Sequence, residues 1–195
     1  MSFKYKGSLL ANTGPTLQTV IIDNSDTIYL DSVVKCRNGN LEVTAAGDAV
    51  GGIVQDLVDK NGNSIFGSLA SVGTATVVGT AGSSAAYVTV AGTNETVDQI
   101  AAVIDISPYS VYSASVTGTP GTTIAAKPGG WFDVNVSSSI FTIEETTGTR
   151  TIGTGGQFVT VPSRNPSNGC LDDDDTTRML VKISESEFFS SKAGA

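Results

Sequence analysis

The sequence predicts an all-β protein: a compact β-barrel or β-sandwich of short strands with an extended N-terminal arm. Three observations point that way. The 195 residues include 24 Thr, 22 Ser and 22 Gly but only two Met; Thr and Val hold few side-chain rotamers and suit a pleated strand. Short apolar runs recur between Gly, Asn and Pro turns, at spacings of roughly ten to twenty residues. Only one segment carries a competing helical spacing.

Residues 1–24 are read as the arm. Lys4, Lys6 and the Asn12-Thr13-Gly14-Pro15 turn sit among Leu9, Leu10 and Leu17 without a sustained period. Such a stretch orders on a partner or frays. A β domain is expected over 25–195, with a possible second lobe from about 107. Thr19–Ile22, Thr27–Leu30 and Ser32–Lys35 are short strand signals. Asn38-Gly39 is a strong hairpin signal, and Leu41–Thr44 beyond it alternates with period two. A hairpin of 28–36 with 41–45 follows. Gly51-Gly52 inside the next apolar run predicts a bulge, a bend or close backbone packing. Asn61-Gly62 ends that strand. Residues 64–86, rich in Gly, Ser, Ala and Thr, read as a surface excursion or weak hairpin, and Tyr87–Val90 as a strand. Val97, Ile100, Ala101 and Ile104 fall at helical spacing, but the run from Ile100 to Ile106 before Pro108 fits a buried strand better among β neighbours. Later strands are expected at Val111–Val116, Trp131–Val136, Ile140–Ile143, Gln157–Val161 and Met179–Ile183.

The formal charge is −8, with 11 Lys and Arg scattered along the chain. Affinity for nucleic acid comes from cations that neutralise phosphates, so nucleic acid and anionic membranes are poor partners. Net charge instead favours solubility and mutual repulsion of free copies. No apolar run approaches a membrane span. The N-terminus lacks a secretory h-region, so synthesis in the cytoplasm without export is expected.

Chemistry-bearing patterns fail one by one. The chain has no His, which removes the usual general base and the commonest metal ligand. No Gly-x-Ser-x-Gly elbow or Cys-x-x-Cys pair occurs. Gly153-Thr154-Gly155-Gly156 lacks the Lys of a phosphate loop. Asp172–Asp175 is the one concentrated charge, but four consecutive carboxylates lack the alternation and glycine of a calcium loop. It reads as a solvated loop. Glu144 and Glu145 point to opposite faces of a strand, and Glu185 with Glu187 reads as an exposed edge. Cys36 and Cys170 read as small buried or edge thiols. Trp131 reads as core cover beneath a turn rather than an interface anchor. No enzyme activity, cofactor or metal is expected.

The stretches Asp26–Val34, Gly39–Val43 and Gly47-Asp48-Ala49-Val50-Gly51-Gly52-Ile53-Val54 resemble tailed-phage capsid decoration (cement) proteins. In that family a small β-barrel carries short strands, a Gly-Asp-x-Val turn and a Gly-Ile/Val-Val strand. Tyr109–Ser113 and Thr177–Ile183 resemble segments of phage virion structural proteins. The resemblance covers the N-terminal third best. It implies a structural virion protein, made in the host cytoplasm and added to the capsid outer surface. Its implied partners are the major capsid protein and, as a homotrimer, itself. The arm near Phe3, Tyr5, Leu9 and Leu10 is then the expected capsid contact. A head-fibre protein, a tail-tube protein or a carbohydrate-binding attachment module are the rival readings.

Overall fold

The computed structural model describes residues 3–10, 13–22, 27–37, 40–59, 61–65, 78–82, 85–90, 93–97, 101–117, 128–137, 140–144 and 156–184. Sixteen strands run through them. They are β1 (Phe3–Ser8), β2 (Leu17–Ile21), β3 (Thr27–Tyr29), β4 (Val33–Arg37), β5 (Asn40–Val43), β6 (Gly52–Val58), β7 (Val78–Gly82) and β8 (Ala85–Val90). Then come β9 (Thr93–Val97), β10 (Ala101–Asp105), β11 (Ser110–Thr117), β12 (Trp131–Phe132), β13 (Val134–Ser137), β14 (Ile140–Glu144), β15 (Phe158–Thr160) and β16 (Arg178–Ile183). The fold is nearly all β, with a nearly closed barrel-like sheet and a second sheet.

One sheet has the order β2-β10-β6-β4-β5. It curls until Ile22, just past β2, bridges Leu41 of β5. Its interior is aliphatic: Ile22, Val34, Leu41, Val54, Leu57 and Ile104 are buried together. Val54 and Leu57 lie three residues apart, so a regular strand would send them to opposite faces. A bulge at Gln55 prevents this. Val103 faces Asp56 and Ile104 faces Val54, so Gln55 has no partner in β10, and both apolar side chains enter the barrel.

The other large sheet has the order β12-β15-β16-β11-β14-β13, with β1 added to β11. Its core is aromatic. Phe3, Tyr112, Phe132, Phe141 and Phe158 are buried in one cluster with Val33, Val50 and Ile53 from the barrel side. Phe3 stacks on Phe158 with ring centroids 5.0 Å apart. Two polar side chains complete the joint. The buried Gln157 donates to the carbonyls of Ala45 and Asp48 and accepts from the Val134 amide, each at 2.8 Å. Arg178 donates to Ser113 and Ser115 hydroxyls at 2.9 and 2.8 Å, fixing β16 to β11. A third, four-stranded sheet has the order β3-β7-β8-β9.

The expected arm is not found. Residues 3–8 are a strand within a sheet, and residues 17–21 are a strand of the barrel. Phe3 alternates with Lys4 on a paired strand, so its ring enters the core. The expected hairpin of 28–36 with 41–45 forms over its inner part, between β4 and β5 with Arg37 opposite Asn40, while residues 27–29 pair with β7 in another sheet; the Asn38-Gly39 turn lies outside the described residues. Residues 101–105 are a strand, paired on both sides. β7 lies where a weak hairpin was read, and β9 follows where no strand was expected. Gly52 does mark close packing. A Cβ there would stand 2.8 Å from the Asp105 carbonyl oxygen and 3.2 Å from the Ile104 Cβ.

Between β3 and β4 the chain turns through Asp31, whose φ is +61°. The turn is held by the Ser32 amide donating to Tyr29 and the Asp31 amide donating to Val54. Burial pushes the Asp31 carboxyl up to about 6, with Arg178 too weak a counter-charge to reverse it.

Two outcomes follow from these positions. Gly52→Ala forces β6 away from β10 and is expected to cost about 1–3 kcal/mol of stability, read as a lower denaturant midpoint. Asp31 binds its proton more tightly folded than unfolded. Its contribution is therefore greatest below the unfolded value near 4 and is lost as pH rises through about 6. Asp31→Asn removes the charge and keeps a residue that tolerates left-handed φ. It should raise the unfolding free energy at pH 8 by about 1–2 kcal/mol, read as a higher Tm, and change it little at pH 4.

Candidate interaction surface

The four residues expected to contact a partner divide into two pairs. Phe3 is fully buried, and Tyr5 is half-buried with its ring edge-on to Tyr112 at 6.0 Å. Phe3 is therefore a core anchor, and its assignment as a surface contact is corrected. Leu9 and Leu10 are 52% and 45% exposed.

Those two leucines stand at one end of the molecule, where the chain crosses twice between the sheets. The first crossing joins β1 to β2, and the second, residues 106–109, joins β10 to β11. The crossings touch. The Leu9 amide donates to the Tyr109 carbonyl at 2.9 Å, and the Ile106 amide to the Thr16 carbonyl at 2.9 Å. Leu17 (54%) and Tyr109 (45%) are also exposed there. Among the described residues, Val136 is the one other large apolar side chain so exposed. The described residues 8–10, 13–18 and 106–110 carry no charge. Large exposed apolar groups brought close together mark sites of protein contact, and here a charged groove borders them at Leu9.

Beneath this end lies the fully buried Asp105. Its Oδ1 accepts from the amides of Thr16 and Ser107, each at 3.0 Å. Its Oδ2 accepts from the Tyr112 hydroxyl. Burial first, then the Asp105 charge, pushes that hydroxyl well above its usual range, so Tyr112 stays a donor. Ser107 Oγ accepts in turn from the Tyr109 amide at 3.2 Å. The sequence showed Leu9 and Leu10 as exposed candidates. Leu17, Tyr109 and Asp105 join them only because the fold brings residues about ninety positions apart together.

Beside Leu9 a groove of about 320 Å³ is lined by Lys6, Val111, Arg164, Asp172 and Leu180 among others. Asp172, Asp173 and Asp174 of the acidic run line it, and the run is more than a solvated loop. Lys6 is the bulged residue of β1, since Tyr5 faces Tyr112 and Gly7 faces Val111. The bulge aims its ammonium at Asp172, 3.0 Å away, and Asp174, 2.6 Å away. Asp173 accepts from Ser163 and Asn168, and Asp175 from Thr177. Burial pushes the Asp172 carboxyl up, but bonds from Ser113, Lys6 and the Asp174 amide outweigh it and hold the group below its usual range. Asp172 and Asp174 thus share Lys6, while Asp173 and Asp175 are held by neutral donors. Among the described residues no three or more Cys, Asp or Glu side chains converge on a metal-sized point.

The other sequence candidates are dispersed. Trp131 is half-buried, while its neighbour Phe132 enters the core. Cys170 is in the aromatic core and Cys36 packs against the barrel core, with no disulfide between them. Glu144 ends β14; Glu145, Glu185, Glu187 and residues 153–155 lie outside the described residues.

Replacing Lys6 by Met leaves the nearly buried Asp172 without its cation. The expected loss is about 1–2 kcal/mol at neutral pH. The Asp172 carboxyl is held low, so its stabilisation is present above the unfolded value near 4 and disappears as pH falls below it. Urea unfolding of the wild type and Lys6→Met should therefore differ at pH 7 and converge near pH 3.

Comparison with protein-family models, with curated proteins and with solved structures finds no match to this chain.

Proposed function

We propose that this chain is a non-enzymatic structural protein of a virus particle, which binds the outer surface of an assembled capsid and stabilises it as a decoration protein. The observation that carries this reading is the exposed apolar end formed by Leu9, Leu10, Leu17 and Tyr109, presented by a double-cored β scaffold. The likeness of the N-terminal third to decoration proteins supplies the class of partner.

The size of the patch favours a lattice over a single partner. Four half-exposed side chains offer on the order of a few hundred Å², less than the roughly 800 Å² each side gives to a stable pair. Repeated copies on a regular shell, joined as trimers, turn such weak contacts into firm attachment by avidity. A ligand that binds only the assembled shell stabilises that state by linkage. The −8 charge keeps free copies dispersed. The partners on this reading are the major capsid protein and, in the trimer, a second and third copy of the chain. The location is the virion exterior, after synthesis in the host cytoplasm.

Mass spectrometry of particles from the virus that encodes the chain should find it at hundreds of copies. Shells stripped of the chain should rebind the wild type on sedimentation. Leu17→Asp puts a charge into the contact and should weaken rebinding at least tenfold, without loss of Tm. Absence from the particles, or equal rebinding by Leu17→Asp, would refute the reading.

A further inference from the structure

We infer that Asp105 is the positioning residue of the apolar patch, one buried carboxylate that sets both chain crossings in a single docking geometry. The inference rests on the docking role proposed above and adds the device that shapes it.

The two crossings come from opposite ends of the barrel's strand order in sequence, yet Asp105 Oδ1 accepts from both. Thr16, its donor on the first crossing, immediately precedes Leu17. Ser107, its donor on the second, lies two residues before Tyr109. From Ser107 the contacts continue outward. The Ser107 hydroxyl holds the Tyr109 amide, and the Tyr109 carbonyl holds the Leu9 amide. A line of hydrogen bonds thus runs from one carboxylate to the backbone of Tyr109 and Leu9, and a second bond fixes Thr16, the residue before Leu17.

The nature of the clamp matters as much as its place. Its three donors are two amides and a phenol, and no cation pairs with Asp105 among the described residues. A buried carboxylate with neutral donors is held by direction rather than by a counter-charge. Each donor must keep its angle, so the crossings are fixed in orientation as well as distance. Pre-ordering of this kind favours binding because less conformational freedom is lost on docking. An apolar residue at 105 would fill the space but orphan two amides and a hydroxyl.

Asp105→Ala removes the clamp. It should speed amide exchange at Thr16 and Ser107 and weaken rebinding to stripped shells about tenfold. Asp105→Asn keeps an oxygen for the two amides and should restore most of the binding. Gln157→Ala breaks hydrogen bonds to Ala45, Asp48 and Val134, none of which belongs to the patch, and serves as a comparator of reduced stability that rebinds normally. Should Asp105→Ala fail to fold, Ser107→Ala cuts only the link to Tyr109, and it should weaken rebinding a few-fold with Tm near the wild type. If Leu17→Asp abolishes rebinding while the folded Asp105 or Ser107 variants rebind like the wild type, the positioning role is wrong and the docking role stands. If Leu17→Asp itself rebinds normally, the docking role is what fails.

Discussion

Strands β4 and β6 are buried on both faces, and the remaining architecture depends on that constraint. Val33 and Ile53 face each other across the two strands and point toward the aromatic core. Their immediate neighbours Val34 and Val54 point into the barrel. One wall thus serves two cores, and neither can be exposed without opening the other. This explains why consecutive apolar residues, rather than a clean alternation, occur at Val33-Val34 and Ile53-Val54. It also explains the glycine at 52. A wall packed on both sides has no room for a side chain where β10 comes within van der Waals contact of the β6 backbone.

The two cores solve packing differently. The barrel encloses little volume and fills it with Ile, Val, Leu and Ala, whose compact shapes suit a narrow interior. The larger gap over the second sheet takes the Phe residues and Tyr112. Polar groups then settle the joints that apolar contact leaves free to slide. Hydrophobic burial is non-directional, whereas the bonds made by Gln157, Arg178 and Asp105 each prescribe an angle. Removing any one of them leaves buried donors or acceptors without partners, a larger penalty than the net gain of a single hydrogen bond.

These two levels differ in how far the sequence disclosed them. The β class was legible because Thr, Val and Ile runs between glycine turns carry a local signal, and the β4–β5 hairpin announced itself by Asn38-Gly39 and the alternation of Leu41–Thr44 beyond it. β1 was not read as a strand, although Phe3-Lys4-Tyr5-Lys6 alternates. Four residues make a weak period, and the bulge at Lys6 breaks it before it lengthens. Leu9 and Leu10 were visible as apolar residues without a periodic role, but Phe3 and Tyr5 were grouped with them because exposure cannot be told from alternation over so short a stretch. Asp105 sits inside the apolar run from Ile100 to Ile106, and nothing local singled it out. Its hydrogen-bond partners are Thr16, Ser107 and Tyr112, and the first of these is a long-range contact that no local pattern encodes. The acidic run misled in the opposite sense: four like charges in sequence suggested one solvated unit, while the fold bridges Asp172 and Asp174 with Lys6 and gives Asp173 and Asp175 neutral donors.

Charge and apolar surface on this molecule also act over different distances. The self-repulsion of a −8 chain extends about 8 Å at physiological ionic strength, whereas apolar contact needs surfaces to touch. Approach between free copies is therefore opposed before any patch can meet another. A partner surface with little net negative charge meets no such barrier, and the apolar side chains themselves give the contact little for salt to screen. In the proposed role this separates two tasks. The charge distribution over the whole fold decides which encounters occur, and the small end held by Asp105 decides which of them last. A weak contact of this kind becomes firm only where the partner repeats, so specificity for assembled over unassembled protein requires no dedicated recognition of the assembly itself.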